Sequence, residues 1–523
     1  MVSPRSSPQL ARSSAVVAVG TGLSRLTGFL RVAVVAWAIG ASALAEAYNL
    51  ANNTPNLLYD LVLGGVLSAT LVPVVIDAFD RDEKKGIEAI TSVVTVLLLL
   101  ATVIAVAISP IIIWLYNLGA DQQQADTQRD VAVPLLMLFA PQILFYGLTA
   151  VATAFLNAKR KFAAAAFAPV VNNVVVIALF IGIVSWIGSG NVTFDEVASN
   201  TSLLLVMGIG TTLGIAAMAA VLWPALKRAR IPLGWNLDFR HPSVVAIAKL
   251  SGWTFGYVIT NLITYAIFQI LANGNDGVTI YAYAWIFFQV PYGLWTVSVM
   301  TAYTPELAQL HSQGSREQLS EKFSAGLRLI FVVVLPATVL MALLSQQIVD
   351  VVLQHGQFDV ASADTTGNTL AALVIGLPAF SLFLYVARGF TSQKDTRTPF
   401  ILNAAQSVIA IALAFLLVRE FGVVGIAAAG TIGYVVLSLI AIGVLDRRIG
   451  AIFAKRTRET LLKIVIASAL LAGVVFVLRQ LTNDLPSLFV LAVCGVVGAI
   501  VYFVALHLLH VNEVRQIVAR FKR

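Results

Sequence analysis

Apolar residues run along this chain in stretches far longer than a soluble strand or amphipathic helix requires, separated by short segments where charge, glycine, proline and asparagine collect. A helix needs about 20 mostly apolar residues to cross a bilayer. By that measure the runs predict spans over residues 14–39, 46–77, 87–116, 131–157, 162–187, 201–226 and 243–272. A second series follows at 278–304, 322–345, 366–391, 399–418, 422–445, 460–480 and 486–510. The expected fold class is an all-α polytopic membrane protein of about 14 transmembrane helices.

The intervening charges orient these spans. With the N-terminus inside, one set of loops carries Arg5, Arg12, "DRDEKKG", "NAKRKF", "KRARIPLGWNLDFR", "SREQLSEK", "QKDTRT", "DRRIGAIFAKRTR" and the tail "RQIVARFKR", about 25 lysines and arginines. The opposite set carries Arg129, Arg419 and Arg479. The positive-inside rule therefore places both termini in the cytoplasm. The first segment continues well past Arg25 and Arg31 without a small-residue cleavage site, so it is expected to stay in the mature protein.

Composition narrows the class. Of 523 residues, 59% are hydrophobic and 11% charged, and mean hydropathy is +0.88, which excludes an ordinary soluble domain. No outward loop exceeds about 25 residues, so no separate catalytic domain is expected. The single cysteine, Cys494, forms no internal disulfide, and neither metal-ligand spacing nor a cofactor motif occurs. The net charge of +8 belongs to the inside loops rather than to a nucleic-acid surface. The five histidines, at His241, His311, His355, His507 and His510, share no metal-ligand spacing.

A weak internal repeat divides the chain. "FLNAKRKFAAAAFAPVVNN" joins the fourth and fifth spans, and "GFTSQKDTRTPFILN" repeats its layout between the tenth and eleventh. An even offset of six spans gives two parallel six-helix lobes, with substrate expected between them in a transporter. The expected organisation is residues 1–230 for helices 1–6, 231–450 for helices 7–12, and 451–523 for two further helices and a basic tail.

Ionisable groups at the centre of a bilayer cost about 2.5–3.5 kcal/mol on insertion scales, so those that persist point to a cavity or a partner. Arg25 and Arg31 lie in the first span, roughly 9 Å apart along the axis and about 120° apart around it. Gly20, Gly22 and Gly28 offer a bend that would bring both into one cavity. In the second span Glu46, Asn49, Asn53, Asn56 and Asp60 recur at intervals of three and four, a polar stripe expected to line a water-filled wall, with Pro55 inside it. Lys249, Asn261, Gln289, Asn172, Asn173, Asn403 and Gln406 are further polar positions, read mostly as structural. Arg328 and Arg388 are read as snorkelling from helix ends. Guanidinium groups in such a cavity suit a phosphate, while an acyl or prenyl tail stays in lipid.

The segment from Ser24 to Val75, "SRLTGFLRVAVVAWAIGASALAEAYNLANNTPNLLYDLVLGGVLSATLVPVV", resembles the opening of the MurJ/MviN family of lipid II flippases, within the multidrug/oligosaccharidyl-lipid/polysaccharide exporter superfamily. "FLNAKRKFAAAAFAPVVNN", "LQHGQFD" and "ARGFTSQKDTRTP" extend the likeness through both halves. The resemblance implies a fourteen-helix, alternating-access transporter of the lipid-linked peptidoglycan precursor lipid II. It implies that Arg25 and Arg31 line a cationic cavity and that Glu46 takes the place of a family acid. Val32, Tyr59-Asp60, Gly64 and Ile286 depart from the family pattern, in which Asp, an Arg pair, Glu and Arg are common, and Lys249 is the expected substitute cation. Asn403 matches an asparagine sodium ligand of some relatives, but Ser407 replaces the aspartate, so no metal site is assigned.

The substrate-binding set expected is thus Arg25, Arg31, Glu46, Asn49, Asn53, Asn56, Asp60 and Lys249, with no catalytic residue and no cofactor. Expected partners are lipid II or a similar polyprenyl-linked anionic glycan, membrane lipids, and cell-wall synthesis proteins. The alternatives are an exporter of another polyprenyl-linked glycan, or a scaffold or enzyme of cell-wall assembly. The outward acids Asp195, Glu196, Asp359 and Asp364 form no recognisable catalytic constellation.

Overall fold

The computed structural model describes residues 7–60, 72–81, 83–120, 122–159, 161–188, 192–250, 252–273, 277–511 and 513. Every element among them is helical. Among the described residues ten helices are long and apolar enough to cross a membrane, or eleven if the pair Val360–Ile375 and Leu377–Ser392, bent by 44°, counts as one span. The chain is a multi-pass membrane protein.

The apolar test does not pick out two of the expected spans, although both are helical where described. The second is α2 (Ala43–Asp60) followed by α3 (Val72–Asp80), whose polar stripe dilutes its apolar content. The eighth is α13 (Gly277–Pro291) and α14 (Val297–Ser312), joined by a π-helical turn at Tyr292–Thr296. Conversely, the 53-residue helix Arg397–Ile449 holds two expected spans, because Gly422 at φ 55°, ψ −136° is non-helical inside it. That backbone region is open essentially to glycine alone.

By packing, the chain falls into two compact units, Met1–Thr279 with Gly356–Phe358, and Ile280–His355 with Asp359–Arg523. This break differs from the division at residue 230 expected from the helix count. Its physical reason lies in the seventh span, α12 (Gly252–Ala272), which packs on α2, on α4 (Lys84–Tyr116) and on the short turn Asn117–Gly119.

In the first unit, α1 (Ser7–Ile39) lies along α7 (Phe162–Ile187), and α7 along α9 (Thr201–Ala220). Small residues set these approaches. Gly20 faces Ala166 and Phe167, and Gly214 faces Asn172. The Asn173 amide donates to Ser24 O at 3.2 Å and Thr27 Oγ1 at 3.0 Å, tying α7 to α1 as expected of membrane asparagines. A core of Val75, Ile87, Ile90, Phe155, Met218, Leu222, Leu226 and Ile231 closes the end carrying the basic loops.

In the second unit, α15 (Arg316–Leu343) is central, packing on α14, α17 (Val360–Ile375), α18 (Leu377–Ser392) and α20 (Lys455–Leu481). The Tyr385 hydroxyl donates to Phe323 O at 3.2 Å, and the two rings stack at 4.4 Å. Arg328 corrects the snorkelling expectation. It is buried, and its Nε donates to Glu513 Oε1 at 2.7 Å and its Nη1 to Thr457 Oγ1 at 2.9 Å. A neutralising carboxylate supplied from 185 positions further along the sequence lets the cation stay inside.

Candidate functional site

The two first-span arginines lie on a helix that does not break. α1 is continuous from Ser7 to Ile39, so its glycines do not unwind it; Gly20 and Gly28 face α7, and Gly22 faces open space. A straight helix keeps Arg25 and Arg31 about 120° apart. Arg25 is exposed, whereas Arg31 is half-buried and within electrostatic reach of Tyr48 on α2. Tyr48 is held by a 3.1 Å hydrogen bond with Thr211 and by edge contacts with Phe139 and Phe180.

The α2 stripe is resolved into separate roles. Glu46 is 1% exposed, and its two carboxylate oxygens accept the backbone N–H groups of Val278 and Thr279, both at 3.1 Å. These amides belong to the first turn of α13, where orphan donors and the helix dipole favour a negative charge. Asn49 adds a 3.0 Å hydrogen bond from Nδ2 to Thr279 Oγ1. At Glu46 and Asn49 the stripe is therefore a protein-facing clamp, not the water-filled wall expected, because a helix start from the seventh loop satisfies it. Asn56 donates to Asn52 O within its own helix at 3.0 Å. Asn53 keeps a buried Nδ2 with no hydrogen-bond partner among the described residues. The side chains of Asp60 and Lys249 lie outside the described residues, as does Gly64.

A second polar set, which pattern reading missed, adjoins this clamp in the chain. Asn273 donates to Asn117 Oδ1 at 2.7 Å and Tyr116 O at 3.0 Å, and accepts from Gln128 Nε2 at 3.2 Å. Gln269, 2% exposed, has neither amide atom hydrogen-bonded. Buried amides of this kind are ordinarily completed by water. Asn117, Gln269 and Asn273 sit at helix ends beside polar loops, where a lone Asn or Gln gives no periodic signal.

Other polar positions are dispersed. Asn403, Gln406 and Ser407 are buried in the second unit. Arg388 is exposed, and Ile286, at the position where relatives often carry arginine, is half-buried. Among the described residues no group of three His, Cys, Asp or Glu side chains is placed to hold a metal.

Comparison with known proteins turns this arrangement into a family assignment. A family model described as "Lipid II flippase MurJ" matches residues 35–495. The chain belongs to the MurJ family. A probable lipid II flippase MurJ of Rhizobium tropici is 27% identical over 519 residues, covering 96% of this chain and 94% of that protein. The Rhizobium meliloti protein of the same description is 28% identical, with 94% and 92% covered. Among solved structures, "Lipid II flippase MurJ, inward closed conformation" superposes with a TM-score of 0.78 at 21% identity, covering 96% of this chain and all of that one. An inward-facing multidrug MATE transporter of the MOP superfamily reaches 0.66 at 15% identity, covering 82% and 96%. These likenesses establish the fold. The MurJ family is a transporter family, and the resemblance carried by the motifs in both halves is borne out at family level.

Proposed function

We infer that this MurJ-family protein flips lipid II from the cytoplasmic to the outer leaflet of the bacterial inner membrane by alternating access. The observation carrying the reading is the family match, which runs from residue 35 to residue 495 and so through both sets of spans. Lipid II is a disaccharide-pentapeptide on a polyprenyl pyrophosphate, and its anionic head must leave water while its tail remains in lipid. Arg31, half-buried beside Tyr48, is the principal contact for the pyrophosphate, because a guanidinium fork matches two phosphate oxygens. Arg25, exposed on another face of α1, takes part in capture. Lys249 and Asp60 complete the binding set, with Asn53 and Asn56 as hydrogen-bonding positions on α2. Glu46 and Asn49 act on this set indirectly, by holding α2 against the start of α13.

In this reading residues 1–230 and 231–450 are the repeated lobes, 451–523 an added helix pair, and both termini are cytoplasmic. Charge supports the orientation, since the basic loops alternate with loops that carry few lysines and arginines. Cell-wall synthesis proteins are the partners that such a substrate implies.

The test is depletion of the protein in its own cells, scoring lipid II on the outer leaflet with an impermeant probe, followed by rescue. Exposure is expected to collapse, to return with the wild type, and to stay low with Arg31→Ala. Unchanged exposure at normal total lipid II would refute the substrate and favour another polyprenyl-linked glycan.

A further inference from the structure

The segment joining the sixth and seventh spans has a defined architecture of its own. After α9 the chain forms a short helix, α10 (Trp223–Arg228), and turns back at Arg230, whose φ is 53°. Residues 231–238 then run without helix until α11 (Pro242–Leu250). Ile231 is seated in the first unit's core. Further along, Asn236 pins the segment to α4, its N–H donating to Ser92 Oγ at 2.9 Å and its Nδ2 to Lys85 O at 3.1 Å. The segment is thus a strap fastened from beneath.

On the other side of the strap the side chains alternate. Trp235 is 67% exposed, Leu237 48% and Phe239 50%, while Asn236 and Asp238 between them are half-buried. The three exposed apolar groups alternate along the chain with the two less exposed polar ones, across a tight turn at Leu237 in which the Asp238 N–H donates to Asn236 O at 3.1 Å. Flanking them in the chain are Lys227, Arg228, Arg230 and Arg240, all exposed, and Lys227 Nζ sits 5.4 Å from the ring centre of Trp223. The acids close by are Asp238, which accepts the Arg240 N–H at 2.9 Å, Glu83, paired with His241 at 3.4 Å, and Glu88 beneath Gly234.

We propose that this strap is a binding surface for anionic lipid headgroups, with Trp235, Leu237 and Phe239 seated at the acyl boundary and Lys227, Arg228, Arg230 and Arg240 on lipid phosphates. Its place decides the occupant. The strap follows one membrane-length helix directly and precedes another, so it lies at the bilayer surface on the face that carries the basic loops. Tryptophan concentrates at that depth, and basic clusters there attract anionic lipid. A soluble protein partner would have to displace lipid from three apolar groups already level with it. The proposal rests on the membrane fold alone and stands apart from the substrate.

The test uses the full chain in a Cys494→Ala background, with an environment-sensitive fluorophore on Trp235→Cys, Leu237→Cys, Asp238→Cys or Phe239→Cys. Each variant is reconstituted into phosphatidylcholine vesicles with or without phosphatidylglycerol, both containing a shallow nitroxide lipid. Quenching is expected to be at least about twofold stronger at 235, 237 and 239 than at 238, and stronger with phosphatidylglycerol. The anionic increment should vanish when the four basic residues become Gln, and should shrink with added salt in the unsubstituted strap. Uniform quenching along the segment overturns the proposal, as does ready quenching by aqueous iodide at the three apolar positions, which would fit a protein partner instead. Equal quenching in both vesicle types overturns the anionic selectivity.

Discussion

At Glu46 one carboxylate meets two backbone N–H groups that would otherwise be orphan donors of a helix start. Each buried donor left unsatisfied costs about 1–3 kcal/mol. Glu46→Ala should therefore lower the thermal stability of the purified protein clearly, and Glu46→Gln less, since one acceptor oxygen remains. Equal stability of all three proteins, with transport alone impaired, would return Glu46 to the substrate. The Arg328–Glu513 pair makes the same argument for charge. Arg328→Met should cost about 3–5 kcal/mol by stranding the carboxylate, and adding Glu513→Leu should recover most of it. Denaturant unfolding of the two single variants and the double variant checks this, and additive losses would refute the pairing. The sequence marked Glu46 as part of a polar stripe and Arg328 as snorkelling from a helix end. It did not reveal their partners, because donor and acceptor stand 232 and 185 positions apart in the sequence.

Among the elements, apolar length was enough to locate the long spans, and the helices match them closely. The short helices, such as α8 (Phe194–Ser199), bury too little surface to leave a periodic trace, although α8 carries a capping box between Thr193 and Glu196. Gly422 separates two spans within one continuous stretch, and Gly422→Ala should cost about 1–3 kcal/mol, read as a lowered melting temperature. Near the start of the same helix, burial alone would raise the Asp395 carboxyl. The Thr398 hydroxyl and amide, with Arg448 at 2.5 Å, outweigh burial and hold it below the usual carboxylate range. A lowered folded-state pKa gives stability that is present at neutral pH and lost as pH falls through that lowered value. Asp395→Asn should therefore melt earlier than the wild type at pH 7, with the gap closing on acidification. A gap independent of pH would rule out the linkage.

On the scale of the whole molecule, charge asymmetry sets an orientation that labelling can read. With Cys494→Ala as background, His355→Cys should react with an impermeant maleimide on intact cells, and Gln313→Cys only after permeabilisation. The reverse pattern would invert the protein and, with it, the proposed direction of transport. The expected division at residue 230 and the packing break after Thr279 differ because repeat counting follows helix number, whereas compactness follows which surfaces touch.

Membrane class, span positions and family were legible along the chain because each rests on local quantities, namely apolar length, loop charge and contiguous motifs. The roles of individual polar residues were not. Asn49 and Asn53 have the same type and occur one helical turn apart, yet the first is bonded to Thr279 and the second leaves a buried amide nitrogen without a partner among the described residues. Arg25 and Arg31 differ likewise in exposure on one unbroken helix. Spacing orders side chains around a helix axis, but only the packing of distant segments determines which of those directions meet protein, because a hydrogen-bond partner is a matter of position in space and leaves no mark in the neighbouring sequence.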